Sequence, residues 1–464
     1  MDFDTLRDEL TSAVDAGLKH ARTLDSSVEA EVYVSFNTKS TVDIDQGVVS
    51  AESGSIAGTA VRLAKDKRIG FASVSGYSLE RVRKCVDEAF QVIVSTSVND
   101  SRFRGFCDPS PHGNEGRFDT RIMEQSVEDL LHSCRVMVSE AAAADGRVKT
   151  VSASAESSWG GYAVGNTRGV MGSSRHVANL CSVSAQAIDG DERRGSMEFD
   201  VATDRLIQPE GLGTRVGKQA AALLGAKKLG TTARLPTVWT PIAAASYLVA
   251  GIGQATLGRH VVERTSPLCD RIGEQIADPS LTLLDDGQRP TGMGTNAVDA
   301  EGHGQRTNTV VERGVLKTFL FDNYWGAAFG VGSTGNCGRG GGVFPSRVPY
   351  EHSPTVGTKW LVVKPGTKTE QGLIESIDGQ AILIMDFPLG IFHGNVSSGE
   401  FSAVANSVFL IEDGEIEYPI QPVSVAGNFH EGLRNIIGVA DNARPIPFGC
   451  ESPTIAFDGF SIVG

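Results

Sequence analysis

The chain has 464 residues, 40% of them hydrophobic and 21% charged, with a formal net charge of −14. The length exceeds one ordinary core, so two or three domains are expected from an ordinary soluble composition. The acidic balance argues against nucleic-acid binding, which needs a basic face, and Lys and Arg do not cluster.

The N-terminal MDFDTLRDEL is acidic and lacks an apolar stretch, so no secretory signal is expected. Residues 4–24 carry Leu6, Leu10, Val14 and Leu18 at four-residue spacing, a helix with one apolar stripe. Residues 28–36 alternate through Val28, Ala30, Val32, Val34 and Phe36, a half-buried strand. A hairpin follows at 42–51 around Asp45, Gln46 and Gly47, and another at 60–74 around a charged turn. Residues 79–94 return to helical spacing. The unit is helix, about four antiparallel strands, helix.

The order recurs after a Pro/Gly/Asn-rich connector at 95–117. Residues 123–144 read as a helix. Strands follow at 148–157, 162–164, 170–174 and 178–188, and 212–224 is again helical. Two related α+β units, 1–95 and 120–228, are therefore expected within an N-terminal domain of residues 1–230.

Residues 231–464 change texture. Short apolar runs alternate with glycine turns such as Asp413-Gly414 and Asp458-Gly459, which predicts a β-rich, barrel-like domain with helices near 241–260, 369–377 and 429–437. The fold class expected is α+β. The longest apolar run, 242–252, is interrupted and falls short of the roughly 18 residues of a membrane span. Seven cysteines, scattered and without a Cys-x-x-Cys pair, fit a reduced cytoplasmic protein and exclude a zinc finger.

Few residues offer chemistry. AGIGQATLGRH at 250–260 is no dinucleotide loop, because its third glycine is late and a helical segment precedes it. STGNCGRGGG at 333–342 lacks the Walker pattern and reads as a mobile loop, in which Cys337 would need a histidine partner to act as nucleophile. Asp299, Glu301 and His303 alternate, so a strand there would turn three potential metal ligands to one face; a solvated turn is the alternative. His430-Glu431 opens a zinc-helix signature that fails, since Arg434 and Asn435 stand where a second His is needed. No Gly-x-Ser-x-Gly elbow occurs.

Several stretches carry a family likeness: IGEQIADPSLTLLDDG (272–287), TNTVVERGVLKTFLFDNYWGAAFGVGSTGN (307–336), FSAVANSVFLIEDGEIEYPI (401–420), VAGNFHEGLRNIIGVADN (425–442) and SPTIAFDGFSIVG (452–464). On these the chain resembles the TldD/PmbA family, once called modulators of DNA gyrase and now understood as zinc metallopeptidases. The resemblance implies pairing of two paralogous subunits. The TldD type carries His-Glu-x-x-x-His and a later cysteine ligand; the TldE (PmbA) type lacks them and completes the chamber. Counted back without gaps, the three motif positions fall on Ala250, Gly251 and Ala255, and 241–256 contains no His or Glu at all. Cys450 lies too close to the C-terminal segment to match the cysteine ligand.

The resemblance thus implies a non-catalytic subunit without metal of its own, paired with a zinc-bearing TldD-like paralogue. The substrate would be a peptide or unfolded segment whose extended backbone pairs with an exposed edge. Loop residues Ser333, Thr334, Gly335, Asn336, Gly427 and Asn428 are the expected chamber lining. Two alternatives stay open: a subunit of a related hydrolase in natural-product biosynthesis, and a homodimeric peptide-binding protein without activity. An independent enzyme using Asp299, Glu301 and His303 would need metal bound to this chain alone.

Overall fold

The structure, a computed structural model, describes residues 2–95, 97–230, 232–340 and 348–464. The N-terminal half builds α1 (Phe3–Leu24), β1 (Glu29–Asp45), β2 (Val48–Lys65), β3 (Arg68–Ser75) and α2 (Leu79–Ser95). After a connector it repeats the order as α3 (Val127–Ala144), β4 (Val148–Asn166), β5 (Met171–Asp189), β6 (Glu192–Ala202) and α4 (Leu212–Ala222). Asp2 caps α1 by accepting the Thr5 N–H at 2.8 Å, and Ser126 with Asp129 forms a reciprocal capping box on α3.

Both repeats share one six-stranded antiparallel sheet, ordered β3-β2-β1-β4-β5-β6. The expected hairpins of short strands are instead three long strands per repeat. Residues 37–41 of β1 look like a break because they are polar. They stay extended because β1 is paired on both sides, to β2 and to β4. Gly160 and Gly161, which also suggest a break, sit mid-strand where backbones crowd. A Cβ on Gly160 would stand 2.2 Å from the Phe36 carbonyl oxygen.

The helices cover one face of this sheet in two cores. Leu6, Leu10, Val14 and Leu18 of α1 bury against Ala30, Val32 and Val34 of β1. Leu130, Cys134 and Met137 of α3 bury against Val42 and Ile44 at the far end of the same strand. Each fully buried aliphatic contributes about 1.5–3 kcal/mol. The opposite face, through Tyr33, Ala60 and Val164, packs on Val298, Ala300, Cys337 and Tyr350 of the C-terminal half.

That half is strand-rich. One sheet joins Glu400–Ala405, Val423–Asn428, Ile455–Val463, β7 (Thr232–Trp239), Gln380–Ile384, Val408–Glu412 and Glu415–Ile420, with Ile436–Val439 also paired to Ile455–Val463. A second sheet runs Val315–Leu316, Thr307–Glu312, Leu283–Asp286, Leu361–Val363, Cys450–Ser452, Arg444–Ile446. A two-stranded ribbon pairs Cys337–Arg339 with Pro354–Val356. Among the described residues no sheet closes on itself, so the half is not a barrel. Its core is wrapped around α5 (Pro241–Leu248), whose eight residues are all buried. Further helices are α6 (Gly258–Val262), α7 (Asn323–Phe329), α8 (Glu370–Ile374) and α9 (Phe429–Arg434). No helix among the described residues is long and apolar enough to cross a membrane, which says nothing of a β-barrel.

Candidate functional site

α5 does not end at Leu248. Its last turn widens into a π-helical turn, Val249–Gly253, where hydrogen bonds run to the fifth residue instead of the fourth. Such turns are rare and recur at functional sites, because they aim residues that an α-helix would not align. The segment is locked from several sides. The Tyr247 hydroxyl donates to the Phe429 carbonyl at 2.6 Å, and Thr256 Oγ1 donates to the Ile252 carbonyl at 2.8 Å. Tyr247 packs among Trp239, Phe401, Phe457 and Phe460.

A cavity of about 580 Å³, within the range of ligand sites, opens beside the π-turn. Val249 and Gln254, five residues apart, both line it. The remaining wall comes from α6 through Arg259 and His260, the loop at Met293–Asn296, the ribbon through Gly338, Arg339, Thr355 and Val356, the Lys359-Trp360 step, and Pro447–Gly449.

Beneath the wall lies a buried polar network that joins the two halves. Asp285 accepts from Lys359 N at 2.7 Å, Trp360 N at 3.1 Å and Asn336 Nδ2 at 2.6 Å. The Lys359 ammonium donates to the Cys337 carbonyl. Asp299 accepts the backbone N–H groups of Glu301, His303 and Cys337, each at 3.0 Å. Arg62 of β2 forks onto Glu31 at 2.9 and 2.7 Å and reaches Glu301 at 2.8 Å. Arg339 also pairs with Glu31, at 3.1 Å, and lies over the Tyr33 ring. Burial holds Asp299 up at about 7, with Lys359 opposing and Glu301 adding to the shift. Asp322, the α7 cap, is pushed up to about 8 by burial and then by Glu301.

The structure places the sequence candidates as follows. Asp299, Glu301 and His303 form a turn, not one face of a strand; the two carboxylates are spent on backbone amides and Arg62, and His303 Nδ1 bonds the Gly304 carbonyl. No group of three His, Cys, Asp or Glu among the described residues is arranged to hold a metal. Ser333, Thr334, Gly335 and Asn336 belong to no mobile loop. They are buried; Thr334 Oγ1 donates to Asn336 Oδ1 at 2.7 Å, and none of the four lines the cavity. Gly341 and Gly342 of that stretch lie outside the described residues. Gly427 is packed on the Phe460 ring, and Asn428 caps α9 by accepting from His430 N at 2.9 Å; neither lines the cavity. The Cys337 thiol is buried and held far above its ordinary range by burial and then by Glu301, so it is no nucleophile. Burial also raises the Cys450 thiol, whose strand pairs in the second sheet. His430 is half-buried, and desolvation depresses it to about 4.

Ala250, Gly251 and Ala255 are buried in the core and do not line the cavity. A Cβ on Gly251 would stand 2.7 Å from Phe429 Cγ. The cavity residues Gln254, Arg259, Arg339 and Lys359 escape sequence reasoning, because they come together from separate segments. The lone cation in Gly357-Thr358-Lys359-Trp360, ahead of a buried strand, is the one local cue.

An α+β chain with a repeated helix–sheet–helix unit, set on a β-rich half that holds one cavity against a π-turned helix, is a defined class. The PmbA/TldA metallopeptidase C-terminal domain matches residues 232–464, domain 1 of that family matches 30–93 and its central domain 124–224. The chain belongs to the PmbA/TldD metallopeptidase family. Metalloprotease PmbA of Escherichia coli O157:H7 is 25% identical over 431 residues, covering 89% of this chain and 87% of that protein. A metalloprotease of Methanothermobacter thermautotrophicus is 31% identical over 239 residues, 51% of this chain and 49% of that one. The crystal structure of TldE from Thermococcus kodakarensis superposes with a TM-score of 0.88 at 25% identity, covering 97% of this chain and all of that one.

Proposed function

We propose that this chain is the non-catalytic, TldE-like subunit of a two-subunit zinc peptidase and forms half of a peptide-binding chamber around its partner's metal. One observation carries the reading. The helix at the motif position carries a π-turn, which stacks residues five apart, the spacing of the two histidines in His-Glu-x-x-x-His. An α-helix with about 3.6 residues per turn does not stack them. That geometry supports the reading, because it would suit the motif's two histidines while the residues here are not ligands.

In the ungapped register the motif positions are Ala250, Gly251 and Ala255, all packed in the core. Shifted by one, they are Val249, Ala250 and Gln254, and the outer two line the cavity. Neither set has the donors zinc takes from protein, which are imidazole, thiolate or carboxylate. This chain's residues do not fit the metal, and no catalytic step is assigned to them. Hydrolysis by zinc needs a metal-bound water and a nearby base, which would come from the partner. The contribution here is positioning, which can be worth several kcal/mol of barrier.

The ribbon of Cys337–Arg339 and Pro354–Val356 supports a peptide ligand. It lines the cavity and, among the described residues, has no third strand; the Cys337 N–H and carbonyl are already bound, so an extended backbone would add on the Pro354–Val356 side. All seven cysteines are free, which supports a reducing compartment such as the cytoplasm. Elemental analysis tests the reading: the purified chain should carry no stoichiometric zinc, and tightly bound zinc in equimolar amount would refute it.

A further inference from the structure

We propose that the cavity beside the π-turn binds a carboxylate carried by a peptide, and that Lys359, Arg259 and Gln254 receive it. The proposal deepens the peptide-site reading above and rests on it.

The ionisable groups lining the cavity are Arg259, His260, Arg339 and Lys359. Among the described residues not one Asp or Glu lines it, although the chain has 56 of them. Buried Glu31 pairs with Arg339, and exposed Glu263 pairs with Arg259 across one helical turn. Of Lys359, Asp285 binds only the backbone N–H, and the ammonium is left to its bond with the Cys337 carbonyl.

The Lys359 ammonium holds donors in reserve. An ammonium has three N–H donors, and that of Lys359 gives one to the Cys337 carbonyl. Among the described residues no carboxylate stands in ion-pairing range of it. Apolar surface from Val249, Leu257, Val356 and Trp360 completes the lining. Cations above an apolar floor suit a carboxylate with an attached side chain better than a compact, strongly hydrated phosphate. The carboxylate has two possible sources, the end of a peptide chain or an Asp or Glu side chain, and the two share this chemistry.

Calorimetric titration of the purified chain with three probes tests the inference: acetyl-Ala-Ala-Ala with a free carboxylate, the same peptide as its amide, and acetyl-Ala-Glu-Ala amide. At least one carboxylate probe should bind roughly tenfold to a hundredfold more tightly than the neutral amide, the worth of a hydrogen bond to a charged group. The tighter of the two acids identifies the source. Lys359→Gln and Arg259→Glu should both weaken that probe, and Lys359→Arg should retain most of its binding. Arg259 is exposed on a short helix, so its substitution leaves the fold intact. Equal binding of the amide, no binding of either acid, or displacement of the acid by inorganic phosphate at lower concentration would each overturn the proposal. Complex formation with a His-Glu-x-x-x-His paralogue is scored separately by size. Acid binding without a complex would sink the subunit reading and leave this one standing; a complex without acid preference would do the reverse.

Discussion

The ring of Phe429 occupies the place where a side chain on Gly251 would begin, with Cγ 2.7 Å from the position of a Cβ. Phe429 is itself fixed, stacked on Phe401 at 4.7 Å between centroids and bound through its carbonyl to Tyr247. The π-turn and the aromatic core have thus closed around a glycine. Gly251→Ala should cost about 1–3 kcal/mol from overpacking, read as a lower urea midpoint. Restoring the motif as Ala250→His, Gly251→Glu and Ala255→His should destabilise the fold further and recruit no zinc. A folded triple variant that binds zinc would show that Phe429 is no barrier.

Arg62 ties the N-terminal sheet to the C-terminal half through Glu31 and Glu301, whose side chains are 1% and 2% exposed. Breaking a buried pair leaves an uncompensated charge. Arg62→Met should therefore cost about 3–5 kcal/mol. Glu301→Gln combined with Arg62→Met should cost less than the two single changes added together, measured by a double-mutant cycle in urea. Strict additivity would mean that the pair does not join the halves.

The raised carboxyls set a pH dependence. Asp322 titrates at about 8 and Asp299 at about 7 in the folded chain, against about 3.9 when unfolded. The folded state therefore holds protons that the unfolded state releases. Their stabilisation is full below about pH 4 and is lost as pH rises through about 7 to 8. Asp322→Asn keeps a side-chain acceptor for the Trp325 N–H at the α7 cap and removes the titration. The stability difference between Asp322→Asn and the native chain should grow in favour of the variant from neutral to mildly alkaline pH. A difference that is flat with pH would contradict the assignment.

Six of the seven thiols are buried, and burial raises the pKa of every one of those six. Cys269 is only half-buried. Iodoacetamide should modify Cys269 first in the native chain, and Cys337 only on unfolding. Rapid native labelling of Cys337 would reopen its candidacy as a nucleophile.

The α1 stripe of Leu6, Leu10, Val14 and Leu18 was legible because it faces one core on one side. The alternation at 28–36 was legible for the same reason. β1 beyond Phe36 was not, because polar residues in a strand paired on both sides carry no periodic apolar signal. The helix around 241–260 could be read from composition, but a segment buried on all sides has no stripe from which to detect a π-turn. Arg62 and Glu301 lie 239 positions apart, and no local pattern links them. The cavity was invisible for the same reason: Gln254, Arg339 and Lys359 belong to three elements. Of the glycine-rich stretch 333–342 expected to be a mobile loop, residues 333–336 are instead pinned by side-chain hydrogen bonds to Phe321, Asn308 and Asp285.

The decisive measurement mixes this chain with a His-Glu-x-x-x-His paralogue from the same genome and follows peptide hydrolysis with and without a zinc chelator. This chain alone should be inert. The mixture should form a stable complex whose hydrolysis is abolished by the chelator and by replacing the paralogue's motif Glu, while Cys337→Ala or His430→Ala here leaves the chemistry largely intact. Chelator-resistant hydrolysis by this chain alone, lost in Cys337→Ala, would contradict a non-catalytic role.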